Sequence, residues 1–272
     1  VIDRVSANLR KDIINGTFLS RENRHKDMLF LLIIIAIAVL SLYFIPINLK
    51  EMAYGIPRIW EFLKGLFPPD ISDISTYAKL MLETVGMGIS ATFLAVLISV
   101  PIGVLSARNI IQAPAIYNIM KETANFLRAM PELMFALIFV AAVGLGPFAG
   151  VLAIALHTVG FLGKFYAEAI ENIDPKPVEA VEATGACFIQ KIRHAVLPLV
   201  IPLFNSYNLY ILDRNVRAST VMGIVGAGGI GFDLVMSMKL FNYQKTAALV
   251  LIILFVIMLV DWFSSYLRKK LV

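Results

Sequence analysis

The chain has 272 residues, 59% of them hydrophobic and 16% charged, with a formal net charge of +5. Mean hydropathy is +0.80, and apolar runs near bilayer length recur along it. This excludes a water-soluble domain and predicts an all-α, polytopic membrane helix bundle of about six transmembrane helices. The positive balance does not imply a nucleic-acid partner, because membrane proteins concentrate Lys and Arg on cytoplasmic loops.

Residues 1–27 alternate charge and apolar character, and Arg4, Arg10, Lys11, Arg21, Arg24 and Lys26 predict a cytoplasmic N-terminal segment. The first transmembrane helix is expected within 28–49, apolar from Met28 to Pro46. That run is too long and too far from the start for a usual signal peptide, and no clear small-residue cleavage site follows it, so it reads as a retained helix. Residues 50–76, with Trp60 and Pro68-Pro69, predict an external amphipathic segment at the interface. Residues 77–272 then form the core of the bundle. Its first span, about Tyr77 to Ala107, carries Gly86, Gly88, Ser90, Ala91, Thr92, Ala95, Ser99 and Gly103. Small residues let helices approach closely in lipid, so this span should face neighbours. Arg108 closes it on the inside. The next span, from near Thr123 to Val143, holds Arg128, able to snorkel inward, and Pro131, expected to kink it. Gly144 to Pro147 is an uncharged outer turn, and a fourth span, about Phe148 to Ile170, brings His157 and Lys164 into the membrane region.

A polar, helix-prone segment at about 175–195 follows, with Asp174 as N-cap and Pro175 in the first turn. Ala180, Ala183, Ala186, Phe188 and Ile189 supply an apolar face, and Glu179, Glu182, Gln190, Lys191 and Arg193 a wet one. Gly185 predicts a bend or a close approach of another surface. Cys187, the single cysteine, excludes an internal disulfide framework and reads as a small apolar filler. A short helix presented to the cytosol between two spans has the character of a docking handle. The fifth span starts at Leu197, a glycine-rich stretch runs from Val221 to Leu234, and the last span, about Thr246 to Leu267, stops at Arg268, Lys269 and Lys270. Counting crossings places both termini in the cytoplasm.

Gly226, Gly228 and Gly231 match the GxGxxG dinucleotide fingerprint, but that motif requires a preceding strand and a βαβ unit. Between membrane helices, Gly226, Gly228, Gly229 and Gly231 read instead as broken or re-entrant backbone, with the following helix start able to favour an anion or simply to pack. Walker A, HExxH, CxxC and GxSxG patterns are missing from the chain, which argues against ATP hydrolysis or metal and nucleophilic catalysis within it. Ionisable groups inside a membrane are functional candidates. Asp213, Arg214 and Arg217 either neutralise one another or present a guanidinium fork to an oxyanion. His157 is read first as a hydrogen-bonded packing residue, with a ligand role as the alternative. Arg128, His157, Arg214, Asn215, Arg217, Ser219 and Thr220 make up the candidate translocation path. Asp261 is expected to pair with a base.

Glu179, Ala180, Gly185, Leu197 and Pro198 fall at the positions of the EAA loop of ABC-transporter permeases, with Val181 and Ala195 as mild departures. The strings LRAMPELMFALIFVAAVGLGPFAGVLAIALHTVGFLGKFYAEAIE, PVEAVEATGA and LYILDRNVRASTVMGIVGAGGIGF further resemble the phosphonate ABC-transporter permeases, with Asp213 standing where a glutamate is expected. The resemblance implies a MetI-like type I importer permease of the bacterial cytoplasmic (inner) membrane. It implies a permease homodimer or paired permease, two ABC ATPase subunits holding ATP and Mg, and an external phosphonate- or phosphite-binding protein, with no cofactor in this chain. Glu179, Ala180, Glu182, Gly185, Ala186 and Gln190 would be the ATPase-coupling residues. The solute would be phosphonate or a related phosphorus oxyanion such as phosphite or hypophosphite. The alternatives are a permease for another small solute such as methionine, and a membrane oxidoreductase using the glycine stretch.

Overall fold

The computed structural model describes residues 24–44, 49–111 and 113–271. Most of the expected N-terminal segment therefore lies outside the described residues. The chain divides into two units, 1–61 and 62–272. The first holds helix α1 (Arg24–Phe44) and most of α2 (Leu49–Gly65). The described side chains of α1 from Leu31 to Phe44 are exposed and, Ser41 aside, largely apolar, as befits a helix solvated by lipid.

The second unit opens with a short connector in which the Asp70 carboxylate accepts bonds from the Ser72 hydroxyl at 2.6 Å and its N–H at 3.0 Å. Those two donors hold the Asp70 carboxyl below its ordinary range. Helix α3 (Ile74–Leu105) follows, 32 residues long. It buries Thr84, Gly88, Ala91, Ala95, Ser99 and Gly103 on one face, at helical spacing. The small residues act as the sequence suggests. A Cβ on Gly103 would lie 2.5 Å from the Tyr166 Cβ, so only glycine allows that contact. The face is narrower than expected, however, because Gly86 and Ser90 point outward and are exposed.

The next span is two helices, α4 (Pro114–Ala129) and α5 (Glu132–Val143), meeting at 89°. The expected kink is thus a full break. Pro131 cannot donate an amide and forces Met130 into extended backbone, φ −77° and ψ 128°, which ends α4 outright. Helix α6 (Pro147–Glu171) is the centre of the bundle. Its Val159, Leu162, Tyr166 and Ile170 are fully buried, and the Tyr166 ring stacks on Phe204 at 3.9 Å between centroids. The Tyr166 hydroxyl donates to Asn208, giving the buried ring its polar partner.

Two short helices follow, α7 (Pro175–Ala183) and α8 (Phe188–Lys191), separated by Gly185 at φ +78°. A π-helical turn, Ile192–Val196, then leads directly into α9 (Leu197–Met222). The turn widens just before Pro198, which lacks the amide that the His194 carbonyl would otherwise accept. The helix that holds the fifth span begins before Leu197: Phe188–Val225 is a continuous 38-residue helical element. A tight 3₁₀ turn, Gly223–Val225, ends it, and α10 (Gly229–Lys239) and α11 (Tyr243–Leu271) complete the fold. Among the described residues four helices are long and apolar enough to cross a membrane, and α4 with α5 makes a fifth, bent candidate. Leu31–Phe44 is a shorter apolar helix.

Candidate functional site

His157, Phe161, Lys164, Glu168 and Glu171 recur at alternating four- and three-residue spacing, so they share one stripe of α6. The α4–α5 break lies against the start of this stripe. Gly160 makes that possible, since a Cβ there would sit 2.5 Å from the Arg128 amide nitrogen. The Met130 carbonyl at the break lies 2.9 Å from His157 Nδ1, and His157 Nε2 lies 2.9 Å from Arg214 Nη2 on α9. A carbonyl can only accept and a guanidinium can only donate, so both contacts are satisfied by the neutral imidazole carrying its proton on Nδ1. His157 is thus hydrogen-bonded at both ring nitrogens, and these contacts aim Arg214.

Arg214 stacks on the Phe161 ring, 4.6 Å from its centroid, and Arg128 lies 6.0 Å from the same ring. Glu132, the first residue of α5, approaches Arg214 at 3.6 Å. The side chains of Arg214 and Glu132 keep 29% and 26% of their surface exposed, so the pair is open to a ligand. Arg214 Nη1 is buried without an acceptor. Two guanidiniums, one carboxylate and a neutral histidine leave the cluster cationic, which suits an anion. Further along the stripe, Lys164 and Lys121 line a cavity of about 350 Å³ with Glu168, Glu171 and the unpartnered hydroxyl of Ser106. Sequence reasoning singled out Arg128, His157 and Arg214 but not Glu132 or Phe161. The legible signal for Glu132 was a carboxylate directly after a span-breaking proline, one helical step from Arg128.

The other candidate path residues lie elsewhere. Arg217 pairs with Asp213 at 2.7 Å and with Asp261 at 3.6 Å, so of Asp213, Arg214 and Arg217 the ion pair joins the first and last while Arg214 faces Glu132, and Arg217 is a base for Asp261. Asn215 is 1% exposed; it donates to Thr92 at 2.9 Å and accepts from Thr158 at 3.0 Å, tying α9 to α3 and α6. Ser219 is fully buried and bonds back to the Asn215 carbonyl, and the Thr220 hydroxyl donates to the Arg217 carbonyl. Asn215 and the Arg217–Asp261 pair join helices, Ser219 and Thr220 bond within α9, and none of them joins the Arg214 cluster.

In the glycine stretch, Gly226, Gly228 and Gly229 adopt positive φ of 84°, 77° and 68°. A Cβ on Gly231 would meet the Thr220 carbonyl at 1.8 Å, so the end of α9 and the start of α10 touch backbone to backbone. The start of α10, read as able to favour an anion or to pack, finds its partners within the chain. The Gly229 amide donates to Glu83 at 3.1 Å and the Ile230 amide to Thr84 at 2.9 Å. These donors are already used, the first by a carboxylate of α3. No strand precedes the stretch among the described residues, so the βαβ context of a dinucleotide site is missing there too.

The handle segment is held by its own polar groups. Asp174 caps the Lys176 amide at 3.1 Å, Glu182 pairs with Lys191 at 2.6 Å, and the Gln190 side chain accepts from the Cys187 amide at 2.9 Å. Glu179, Ala180, Gly185 and Gln190 are exposed and Ala186 is half-buried. Phe188 and Ile189 are 44% and 74% exposed. Gly185 supplies the bend, with nothing of this chain within 4 Å of its missing side chain. Cys187 is exposed and is therefore no filler, because α7 and α8 pack too few atoms around the bend to cover it. Among the described residues no three His, Cys, Asp or Glu side chains converge on a metal-sized site.

A bundle of membrane-length helices with a broken span, a charged cluster at the break and an uncovered amphipathic handle has the architecture of a membrane permease. The chain belongs to the family described as binding-protein-dependent transport system inner membrane component, whose profile matches residues 99–272. It is 42% identical to the phosphite transport system permease protein PtxC of Stutzerimonas stutzeri over 87% of this chain and 86% of that one. It is 36% identical to the putative phosphite transport system permease protein HtxC of the same organism, over 96% of this chain and 90% of that one. Its fold is similar to a solved inward-facing MetNI methionine ABC transporter, with a TM-score of 0.67, 20% identity, and coverage of 75% of this chain and 99% of that one. The chain is accordingly a multi-pass inner-membrane permease component and not itself an ATPase.

Proposed function

We propose that the chain passes phosphite, phosphonate or a closely related phosphorus oxyanion through the inner membrane as the permease of an ATP-driven importer. The observation that carries the solute class is its 42% identity to a phosphite permease over nearly the whole length of both chains. The cationic Arg128–Phe161–Arg214 cluster agrees with it, since guanidiniums are the side chains best matched to oxyanions. In this reading Arg128, His157 and Arg214 line the path, while Asn215, Arg217, Ser219 and Thr220 support it.

Two permease copies, or one copy and a related permease, would enclose the path. Two ATPase subunits would bind ATP and Mg and seat the segment at about 175–195 through Glu179, Ala180, Glu182, Gly185, Ala186 and Gln190. An external binding protein would deliver the solute. Both termini would lie in the cytoplasm, with 1–27 as a cytoplasmic segment, 28–49 as the first span, 50–76 external and 77–272 as the permease core. The exposed apolar side chains of the handle support such a docking role, because an uncovered Ile189 beside charged neighbours has the composition of an interface. The test is ATP turnover of the reconstituted complex with its binding protein empty or loaded with phosphite, a phosphonate, phosphate or methionine. Stimulation by a phosphorus oxyanion is the expected result; stimulation by methionine alone would overturn the solute assignment.

A further inference from the structure

We propose that Glu132 selects the charge state of the solute, admitting the hydrogen-bearing monoanion of a phosphorus oxyanion and turning away the dianion. The inference rests on the importer reading above and concerns the same cluster. A carboxylate beside an anion path is at first sight misplaced, because it repels the ligand that Arg128 and Arg214 attract. Its position resolves the conflict. Glu132 lies 3.6 Å from Arg214, outside the short range of a charge-assisted hydrogen bond, and no closer donor engages it among the described residues. Its oxygens therefore keep acceptor capacity. The charged and titratable groups around it are Arg214 from α9, which it faces directly, His157 from α6, which touches Arg214, and Arg128 at the end of α4, which shares the Phe161 ring with Arg214.

His157 adds a constraint on the cations. Its Nδ1–H is committed to the Met130 carbonyl, so Nε2 accepts from Arg214 and fixes one edge of the guanidinium. The other terminal nitrogen, Nη1, is buried and has no acceptor in the protein, while the side chain as a whole keeps 29% of its surface open. A tetrahedral oxyanion that still holds one proton supplies what both sides lack: an ionised oxygen for a guanidinium and an O–H for the Glu132 carboxylate. The dianion offers no proton, so it sets an ionised oxygen directly against the Glu132 carboxylate. Phosphite and phosphonates change between these forms near neutral pH, whereas sulfate remains fully ionised there. Glu132 would in this way separate phosphorus oxyanions from sulfate inside the membrane, after the external binding protein has made its own choice.

The experiment is uptake of labelled phosphite into proteoliposomes carrying the whole complex, with loaded binding protein saturating and pH stepped across the second ionisation of phosphite. Wild type and E132Q are compared at each pH, so the pH dependence of the binding protein and ATPase cancels in their ratio. The ratio of E132Q to wild type is expected to rise by about tenfold from the monoanion side to the dianion side, the change that one lost charge-assisted contact corresponds to. E132D, which keeps the carboxylate, should restore the wild-type slope. A ratio that stays flat across the range overturns the proposal and leaves the importer reading standing. Should E132Q fail to assemble, ³¹P line broadening of phosphite by the wild-type complex without binding protein decides: equal broadening of both ionisation states overturns the proposal, and preferential broadening of the monoanion supports it. A wild-type complex that hydrolyses ATP but imports no phosphorus oxyanion would remove the underlying reading instead.

Discussion

Replacing Gly231 by alanine should be among the most damaging single-methyl additions in the bundle. The added Cβ would lie 1.8 Å from the Thr220 carbonyl oxygen, against the 3.4 Å where ordinary contact begins. The obstacle is backbone and cannot rotate away, so α10 must move from α9 by roughly 1.5 Å. Overpacking of this kind costs about 1–3 kcal/mol, and the movement also pulls on the bonds from Gly229 and Ile230 to Glu83 and Thr84. Gly86→Ala is the control: it lies on an exposed face of α3 with nothing within 4 Å, so the helix gains up to about 1 kcal/mol. In nanodiscs G231A should lower the thermal midpoint by roughly 6–10 °C and G86A should raise it by roughly 2–4 °C. Equal shifts for the two variants would refute the argument, since propensity alone treats both positions alike.

Two further outcomes follow from the same contacts. Ile189→Glu places a charge on the most exposed apolar side chain of the handle, so it should leave the thermal midpoint within roughly 2 °C of wild type. It should nevertheless reduce ATPase co-purification by about tenfold or more, the loss typical of a buried interface anchor. Asn215→Leu leaves the Thr158 hydroxyl without its acceptor and cuts the link to Thr92, which should cost about 1–3 kcal/mol in chemical denaturation.

The sequence made the helical bundle legible because hydropathy and small-residue spacing are local properties. The break at Pro131, the bend at Gly185 and the irregular backbone at Gly226–Gly229 were all visible as residues whose backbone chemistry forbids a regular helix. What each break does was not legible. Nothing near Gly229 announces that its amide is taken by Glu83, which lies on a different helix far away in the chain. For Glu132 the position beside the break was legible but its cation was not, because Arg214 reaches it only through the packing of α9 on α6. The opposite error occurred at Cys187, where an apolar residue type was read as buried although the bend around it leaves it uncovered.

The rod from Phe188 to Val225 gives the two halves of the proposed mechanism a physical link. Ile189 on the handle and Arg214 at the charged cluster stand on one continuous helical element, about 38 Å apart along its axis at ordinary helical rise. A displacement of the handle is therefore not absorbed by a loop before it reaches the cluster. The Tyr166–Phe204 stack anchors this rod to α6 at an intermediate level, and α6 carries His157. A tilt of α9 about that anchor would shift Arg214 relative to His157, because those groups lie beyond the pivot, and the neighbouring Asn215–Thr158 bond would resist it. The same tilt would open or close the gap between Arg214 and Glu132. On this reading the cation that receives the solute is also the group that the ATPase end of the rod can move, so holding and releasing the oxyanion would be two positions of one arginine.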